Sequence, residues 1–255
     1  MRSIRDIQLK NKRVLMRVDF NVPMDKEGNI IDDNKMKAAL PTIEYVIKNE
    51  GRLILMSHLG RPKGKPNPEY SLKTVAAHLG TLLNRPVQMA PDCIGAEAQA
   101  AVDALRPGEV LMLENVRFHA EEEKNDPEFS RKLAALGDVF VNDAFGSAHR
   151  AHSSTTGVAD FIPAYAGFLL ETEVSMLRKA LEHPESPRVA ILGGSKVADK
   201  VKLIKNLMEK MDVILIGGGM ANTFIKAQGY NIGKSICEGD LLNEAKSLLE
   251  RSGNK

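Results

Sequence analysis

What most constrains this 255-residue chain is an alternation of two periodicities. Short apolar runs that read as strands, VLMRVDF (14–20), RLILMSHL (52–59), VLMLENVRF (110–118) and DVFVNDAF (138–145), are separated by KMKAALPTIEYVIKN, SLKTVAAHLGTLLN and DPEFSRKLAALG. In these separators apolar residues recur at three and four positions, and the openings carry Ser or Asp as N-caps, the marks of helices with one buried stripe. Strands alternating with helices imply parallel strands joined by right-handed helical crossovers. ETEVSMLRKALEH (171–183) reads as a further helix, ended by the breaker run PESP. The pattern then restarts with RVAILGG, a helix VADKVKLIKNLMEKM and VILIGGG. The expected fold class is α/β, with two doubly wound parallel-sheet (Rossmann-like) domains joined by a helix. The boundaries are 1–170 for the first domain, 171–187 for the connecting helix and hinge, and 188–255 for the second.

Composition excludes several classes. With 43% hydrophobic and 27% charged residues the chain can bury a large core in one or two domains. A net charge of +2, no Trp and 5% aromatics leave no overall basic field to recruit nucleic acid, so no nucleic-acid partner is expected. Cys93 and Cys237 lie far apart without metal-ligand spacing and read as small buried or half-buried side chains in a reducing cytoplasm, with no protein-held metal site. The opening MRSIRDIQLKNKR has no apolar signal core, and no run approaches the ~18 apolar residues of a membrane span. A cytoplasmic monomer without a membrane partner is the expectation.

The strand ends of the first domain carry the chemistry. SHLGRPKGKP places His58, Arg61, Lys63 and Lys65 directly after an apolar run. In open parallel sheets ligands bind beyond the carboxyl ends of the strands, where loops and helix N-termini converge. Read jointly, those ends supply Arg17, Asp19 and Asn21, then His58 and Arg61, then Arg117 and His119, and finally Asp143 with His149, Arg150 and His152 of SAHRAHSS. Four ends that each deliver a basic group make a rim suited to a small, multiply charged anion, with arginine forks matching phosphate oxygens. His58 and His149 fit either a ligand contact or a loop cap.

The second domain presents glycines instead. LGGSKVADK (192–200) sets Gly193, Gly194 and Lys196 between a strand and a helix, where backbone N–H groups and the helix N-terminus can face a phosphate. Lys200 is expected on the same helix face, four residues on. The next strand ends in Gly217-Gly218-Gly219, which admits a flat base or marks a tight turn. GYNIGKS (229–235) imitates a Walker loop, but its first glycine is one residue too close and no strand precedes it. GGGMAN has Asn222 where a dinucleotide fingerprint wants Gly or Ala.

Together RVDFNVP (17–23), AALPTI (38–43), SHLGRPKG (57–64), LENVRF (113–118), NDAFGSAHRAHSS (142–154), LGGSKVADK (192–200) and IGGGMANTF (216–224) resemble the phosphoglycerate kinase family, in family order over nearly the whole chain. The resemblance implies two facing α/β domains, one holding 3-phosphoglycerate or 1,3-bisphosphoglycerate and the other Mg2+ with ADP or ATP. It implies substrate-binding roles for Asp19, Asn21, His58, Arg61, Arg117 and Arg150, and nucleotide-binding roles for Gly194, Lys200, Gly218 and Gly219. Lys196 matches the lysine that follows the transferred phosphoryl group. Lys35 stands where the family has an arginine at the transfer site, a lysine that keeps the charge and loses the fork; it is otherwise an ordinary solvated helix lysine whose helix Asp32-Asp33-Asn34 can cap. The resemblance also implies that the nucleotide domain continues beyond this sequence, with an acidic residue near the metal, another glycine-rich loop and a returning tail. The second domain is then incomplete here. A catalytically silent phosphoglycerate-binding module and a basic-rim nucleic-acid binder are the alternatives.

Overall fold

A computed structural model of the chain describes residues 1–182 and 185–253; His183, placed by sequence in the last turn of a helix, and the terminal pair 254–255 lie outside them. The chain divides into two compact units, Met1–Val174 and Ser175–Lys255.

In the first unit, strands β1 (Arg13–Arg17), β2 (Arg52–Met56), β3 (Gln88–Met89), β4 (Val110–Met112), β5 (Val139–Asn142) and β6 (Ala164–Ala166) form one sheet in the order β3-β4-β2-β1-β5-β6. All five pairings are parallel. The register places Leu15 beside Ile54 and Phe140, so the sheet sorts its side chains by face. Val14, Met16, Leu53, Leu55, Val110, Met112, Val139 and Val141 point to one core, and Leu15, Ile54, Leu111 and Phe140 to another. Helices α1 (Asn34–Lys48) and α2 (Lys73–Leu83) cover the first through Met36, Ile43, Val46, Val75 and Leu79. On the second face lie α3 (Ala96–Ala104) with Val102, and α5 (Pro127–Ala134) with Phe129 and Leu133, while α4 (Ala120–Glu123) is a single turn before α5. Strands covered on both faces read as unbroken apolar runs, the signature of a doubly wound parallel sheet. The chain moves from β1 to one side and returns to β5 on the other, so the topological switch point lies at the carboxyl ends of β1 and β5.

Several sequence-based elements need correction. The strands stop at Arg17, Met56, Met112 and Asn142, well short of the ends expected at 20, 59, 118 and 145, because the chain there leaves the ladder to build loops. Strands β3 and β6 and helix α3 were not foreseen. N-capping by Asp holds for α5, where Asp126 accepts from the Phe129 N–H at 2.9 Å. It fails for α1 and α2: Asp33 and Leu72 occupy the cap positions without a side-chain cap bond. Asp33 instead receives Lys37 at 2.8 Å and His78 Nε2 at 3.0 Å.

A short helix α6 (Phe145–Ala148) follows β5, and α7 (Phe168–Glu182) carries the chain out of the first unit. In the second unit β7 (Val189–Gly193) and β8 (Val213–Gly217) pair in parallel, with α8 (Val201–Met208), α9 (Gly219–Ala227) and α10 (Leu242–Ser252). Leu192, Ile214 and Ile216 pack on a core of Val197, Ile204, Met208, Met220, Phe224, Ala245 and Leu248. The opposite face of the same two strands, Val189, Ile191, Val213 and Leu215, is exposed. Among the described residues no helix is long and apolar enough to cross a membrane.

Candidate functional site

The loops that leave β1, β2 and β4 are tied to one another before any ligand is considered. Ser57 Oγ accepts from the Phe20 N–H at 2.9 Å, and Asn21 Oδ1 from the Gly60 N–H at 2.8 Å, joining the first two loops. Asn115, fully buried, donates to the carbonyls of Leu59 (2.8 Å) and Tyr70 (2.9 Å) and accepts from the Arg117 N–H (3.1 Å). A buried polar side chain satisfied three ways fixes backbone more firmly than apolar packing does. The loop after β5 closes the fourth side: a Cβ on Gly146 would come within 2.8 Å of Asp19 Oδ2, so a larger residue there would displace that carboxylate.

On this scaffold the structure brings most of the expected residues together. Lys35, exposed at the start of α1, donates to Asp19 Oδ2 at 3.1 Å and to the Asn21 carbonyl at 3.2 Å. Arg117 is buried along its length, with Nη1 on the Gly60 carbonyl at 3.1 Å and Nε 3.3 Å from Glu123. Burial lowers its pKa, Glu123 raises it again, and Arg150 and Arg61 lower it further, which places both of those exposed arginines within electrostatic reach. His58 is 5% exposed and its pKa is pushed down to about 2, first by burial and then by Arg17, Arg117, Lys35 and Arg150. The ring is therefore neutral. An open cavity of about 710 Å³ continues past Asn21 and Gly60 to Tyr70 and Lys73.

Other rim residues turn inward. Arg17 is 1% exposed, and its guanidinium points into the protein onto His58 and Ser154 rather than lining the rim. Burial drives its pKa down, opposed by Glu122 and Asp19. Asp143 accepts the N–H groups of Leu169 (2.9 Å) and Leu170 (3.1 Å), so it secures the start of α7, and burial raises its pKa. His152 lies 3.9 Å from buried Glu122, while His149 is exposed beside Arg150. His119 Nε2 pairs with Asp92 Oδ1 at 2.7 Å, next to buried Cys93. Asp92, Cys93 and His119 offer ligand atoms within 4.8 Å of one another, a grouping the sequence spacing did not suggest. Yet 2.7 Å is closer than two atoms bound to one zinc approach, roughly 3.3 Å from ~2.0 Å bonds at a tetrahedral angle. Burial and Asp92 also keep the Cys93 thiol protonated. The arrangement is a hydrogen-bonded pair beside a thiol.

In the second unit the glycine loop after β7 forms as expected, with differences. Helix α8 begins at Val201, so Lys196 and Lys200 do not share a helix face; Lys200 is the N-cap residue and Lys196 an exposed loop residue. The loop N–H groups of Val197 and Ala198 do not wait for a phosphate, because Glu238 accepts from both. Gly218 has φ +70°, and a Cβ there would meet the Gly194 carbonyl oxygen at 2.8 Å. Its glycine is required by the approach of one strand end to the other. Gly193 and Gly194 are exposed, and Gly219 opens α9. GYNIGKS lies in a loop with no strand before it, and Asn222 donates to the Ile236 carbonyl at 3.0 Å.

Comparison with known proteins now fits this geometry. The profile described as phosphoglycerate kinase matches residues 4–255. The chain belongs to the phosphoglycerate kinase family. It is 58% identical over 253 residues to the phosphoglycerate kinase of Moorella thermoacetica and 55% identical over 252 residues to that of Coprothermobacter proteolyticus, in each case across 99% of this chain and 64% of the relative. The phosphoglycerate kinase structure from Coxiella burnetii superposes with a TM-score of 0.86 at 45% identity, covering 98% of this chain and 63% of that one. That from Pyrococcus horikoshii OT3 gives 0.85 at 36% identity, covering 98% and 65%. The chain thus spans under two thirds of the length of these phosphoglycerate kinases.

Proposed function

We propose that this chain contains the phosphoglycerate-binding part and the opening of the nucleotide-binding part of a phosphoglycerate kinase. The whole enzyme would carry out reversible phosphoryl transfer between 1,3-bisphosphoglycerate with ADP and 3-phosphoglycerate with ATP, a glycolytic step in the cytoplasm, as a monomer without nucleic-acid partners. Residues 1–170 bind phosphoglycerate, 171–187 connect, and 188–255 take part in nucleotide binding. The observation that carries the reading is that Arg117, Arg150 and Lys35 all lie within electrostatic reach of neutral His58, with Arg61 within reach of Arg117 and Lys35 bonded to Asp19. Multiple cations with little overall net charge suit a small polyanion.

Mechanistically, Arg61, Arg117 and Arg150 grip the carboxylate and non-reacting phosphate, and Asp19 accepts from the substrate hydroxyl. Lys35 and Lys196 stabilise charge on the transferred oxygens; no protein nucleophile is needed, because positioning and electrostatics dominate phosphoryl transfer. Gly194, Gly218, Gly219 and Lys200 receive the nucleotide. The β7–α8 loop offers Gly194, Lys196 and Lys200 with a single carboxylate, Asp199, a set that suits an anion better than the several oxygen ligands a hard cation takes. Magnesium would therefore be held through the nucleotide's phosphates, where it neutralises charge.

The bare sheet face of the second unit and the engagement of Glu238 with the glycine loop favour a second reading of the 255 residues alone: a module that binds phosphoglycerate and turns over little. Calorimetry with 3-phosphoglycerate should show binding that weakens with salt, since the contacts are charge-assisted. Absence of binding would defeat both readings, and robust ATP formation by this chain would defeat the second. In a chain extended to the length of its relatives, Lys196→Ala should lower turnover about a hundredfold, on the order of 3 kcal/mol, with nucleotide affinity nearly unchanged. A raised KM with intact turnover would make Lys196 a ground-state binder.

A further inference from the structure

Behind the basic rim runs a line of four buried polar side chains from distant parts of the sequence. Glu122, on the single turn α4, is fully buried and receives two bonds from Ser154: the backbone N–H to Oε2 at 2.9 Å and the hydroxyl to Oε1 at 2.6 Å. The hydroxyl oxygen in turn accepts from Arg17 Nε at 2.8 Å. Arg17 Nη1 donates to the Val18 carbonyl, and Nη2 lies 2.9 Å from His58 Nδ1. Every member is at most 5% exposed.

The chemistry of these groups leaves one assignment of protons. A guanidinium has only donors, so the atom it meets at 2.9 Å must accept. His58 Nδ1 therefore holds a lone pair, and in a neutral ring the proton must sit on Nε2. The serine hydroxyl cannot donate to Arg17, so its proton goes to Glu122 Oε1. All bonds thus run outward from Arg17 and end on acceptors.

We propose that Arg17 is a positioning residue that locks His58 in the Nε2–H tautomer, making it a neutral hydrogen-bond donor in the phosphoglycerate site, with Ser154 and Glu122 holding Arg17 in place. This deepens the function proposed above and rests on it only for the identity of the ligand. The cations facing His58, namely Arg17, Arg117, Lys35 and Arg150, disfavour a further positive charge on the ring. A locked Nε2–H gives the anion a directed bond without adding to their mutual repulsion. A histidine free to change tautomer would present a lone pair to the anion part of the time.

The ligand-free protein can be tested directly. Long-range 1H–15N spectra of the 15N-labelled chain, with His58 assigned by its loss in His58→Gln, should show the Nε2–H tautomer unchanged from about pH 5 to 8, where an ordinary imidazole titrates. An Nδ1–H ring, or one that titrates near pH 6, would overturn the proposal. Arg17→Met/Glu122→Gln removes the guanidinium without stranding the carboxylate. It should give mixed tautomers and about tenfold weaker 3-phosphoglycerate binding, the effect of one lost hydrogen bond of roughly 1.4 kcal/mol. A pure Nε2–H ring in that variant would show that Arg17 does not set the tautomer. If the variant does not fold, the wild-type spectrum still decides. Failure of 3-phosphoglycerate to bind a protein whose His58 is locked would fault the ligand assignment alone.

Discussion

The two sheets of this molecule follow the same grammar and reach different states of completion. In the first unit, alternate residues of each central strand enter two separate cores, so Leu15 and Met16 are equally buried. In the second, Ile216 and Leu192 face a core while Ile191, 78% exposed, and Leu215, 50% exposed, face outward. That core also leaves a cavity of about 180 Å³ beneath Ile214, Phe224 and Leu248. A βα unit therefore specifies its strand pairing locally, but the burial of its second face depends on elements other than its own. An exposed apolar sheet face of this kind marks a surface suited to covering.

The largest consequence should appear in amide hydrogen exchange. Local opening free energies range from near zero at poorly covered elements to the global stability in a core. Amides of β1 and β2 should exchange about a thousandfold or more slowly than those of β7 and β8 in the 255-residue chain. Comparable protection in the two sheets would break the comparison at its root.

Truncating one buried and one bare isoleucine sharpens it. Ile54 is fully buried in β2, and Ile54→Ala should cost about 2–5 kcal/mol in the unfolding of the first unit, the sum of lost transfer energy and a cavity. Ile191→Ala, on the bare face, should stay within ~0.5 kcal/mol. Urea titrations followed by circular dichroism would measure both. A large loss from Ile191→Ala would mean that something covers that face in solution.

The sequence disclosed four strands of the first unit, their parallel course and the helices with strong stripes, because β1, β2, β4 and β5 are apolar runs bounded by polar loops. It hid β3, whose two residues Gln88 and Met89 carry no alternation, and α3, which buries only Ala98 and Val102. It also ran β1 through to Phe20: Val18 and Phe20 are buried like strand residues but pack from a loop. At the site, the basic residues were legible from their place after apolar runs. The hydrogen-bonded line that joins two of them, Arg17 and His58, to Ser154 and Glu122 was not, since its members are separated by up to 137 positions and no local pattern links them. Glu238 reaches Val197 and Ala198 from about 40 residues away for the same reason.

Acid separates the units in a further way. A histidine whose folded pKa lies below its unfolded value of about 6.5 binds protons mainly in the unfolded chain, so it costs stability as pH falls below 6.5 and stops doing so only near its folded pKa, about 2 for His58. Each pH unit in that window costs about 1.4 kcal/mol, or roughly 2.7 kcal/mol at pH 4.5. In the first unit, His58→Gln should flatten the stability profile between about pH 6.5 and 4.5 by this amount. The second unit, whose described residues hold no histidine, should show no matching change. An unaltered slope in His58→Gln would place the acid sensitivity elsewhere.

The smallest expected effect tests whether the first unit's rim is fully adapted to its proposed role. Lys35 spans Asp19 Oδ2 and the Asn21 carbonyl with a single ammonium, at 3.1 and 3.2 Å, so its charge is shared between two acceptors. A guanidinium at this helix start would present parallel donors to a carboxylate or to transferring phosphoryl oxygens, which an ammonium cannot do. Its side chain is half exposed, so the exchange should leave thermal stability nearly unchanged. In a chain extended to the length of its relatives, Lys35→Arg should raise turnover by roughly tenfold, equivalent to about 1.4 kcal/mol of barrier. The effect should appear in kcat more than in 3-phosphoglycerate affinity, because the gain belongs to the transferring group rather than the bound ground state. Equal or lower turnover with affinity preserved would show that the lysine, held between Asp19 and Asn21, already does the work expected of the fork.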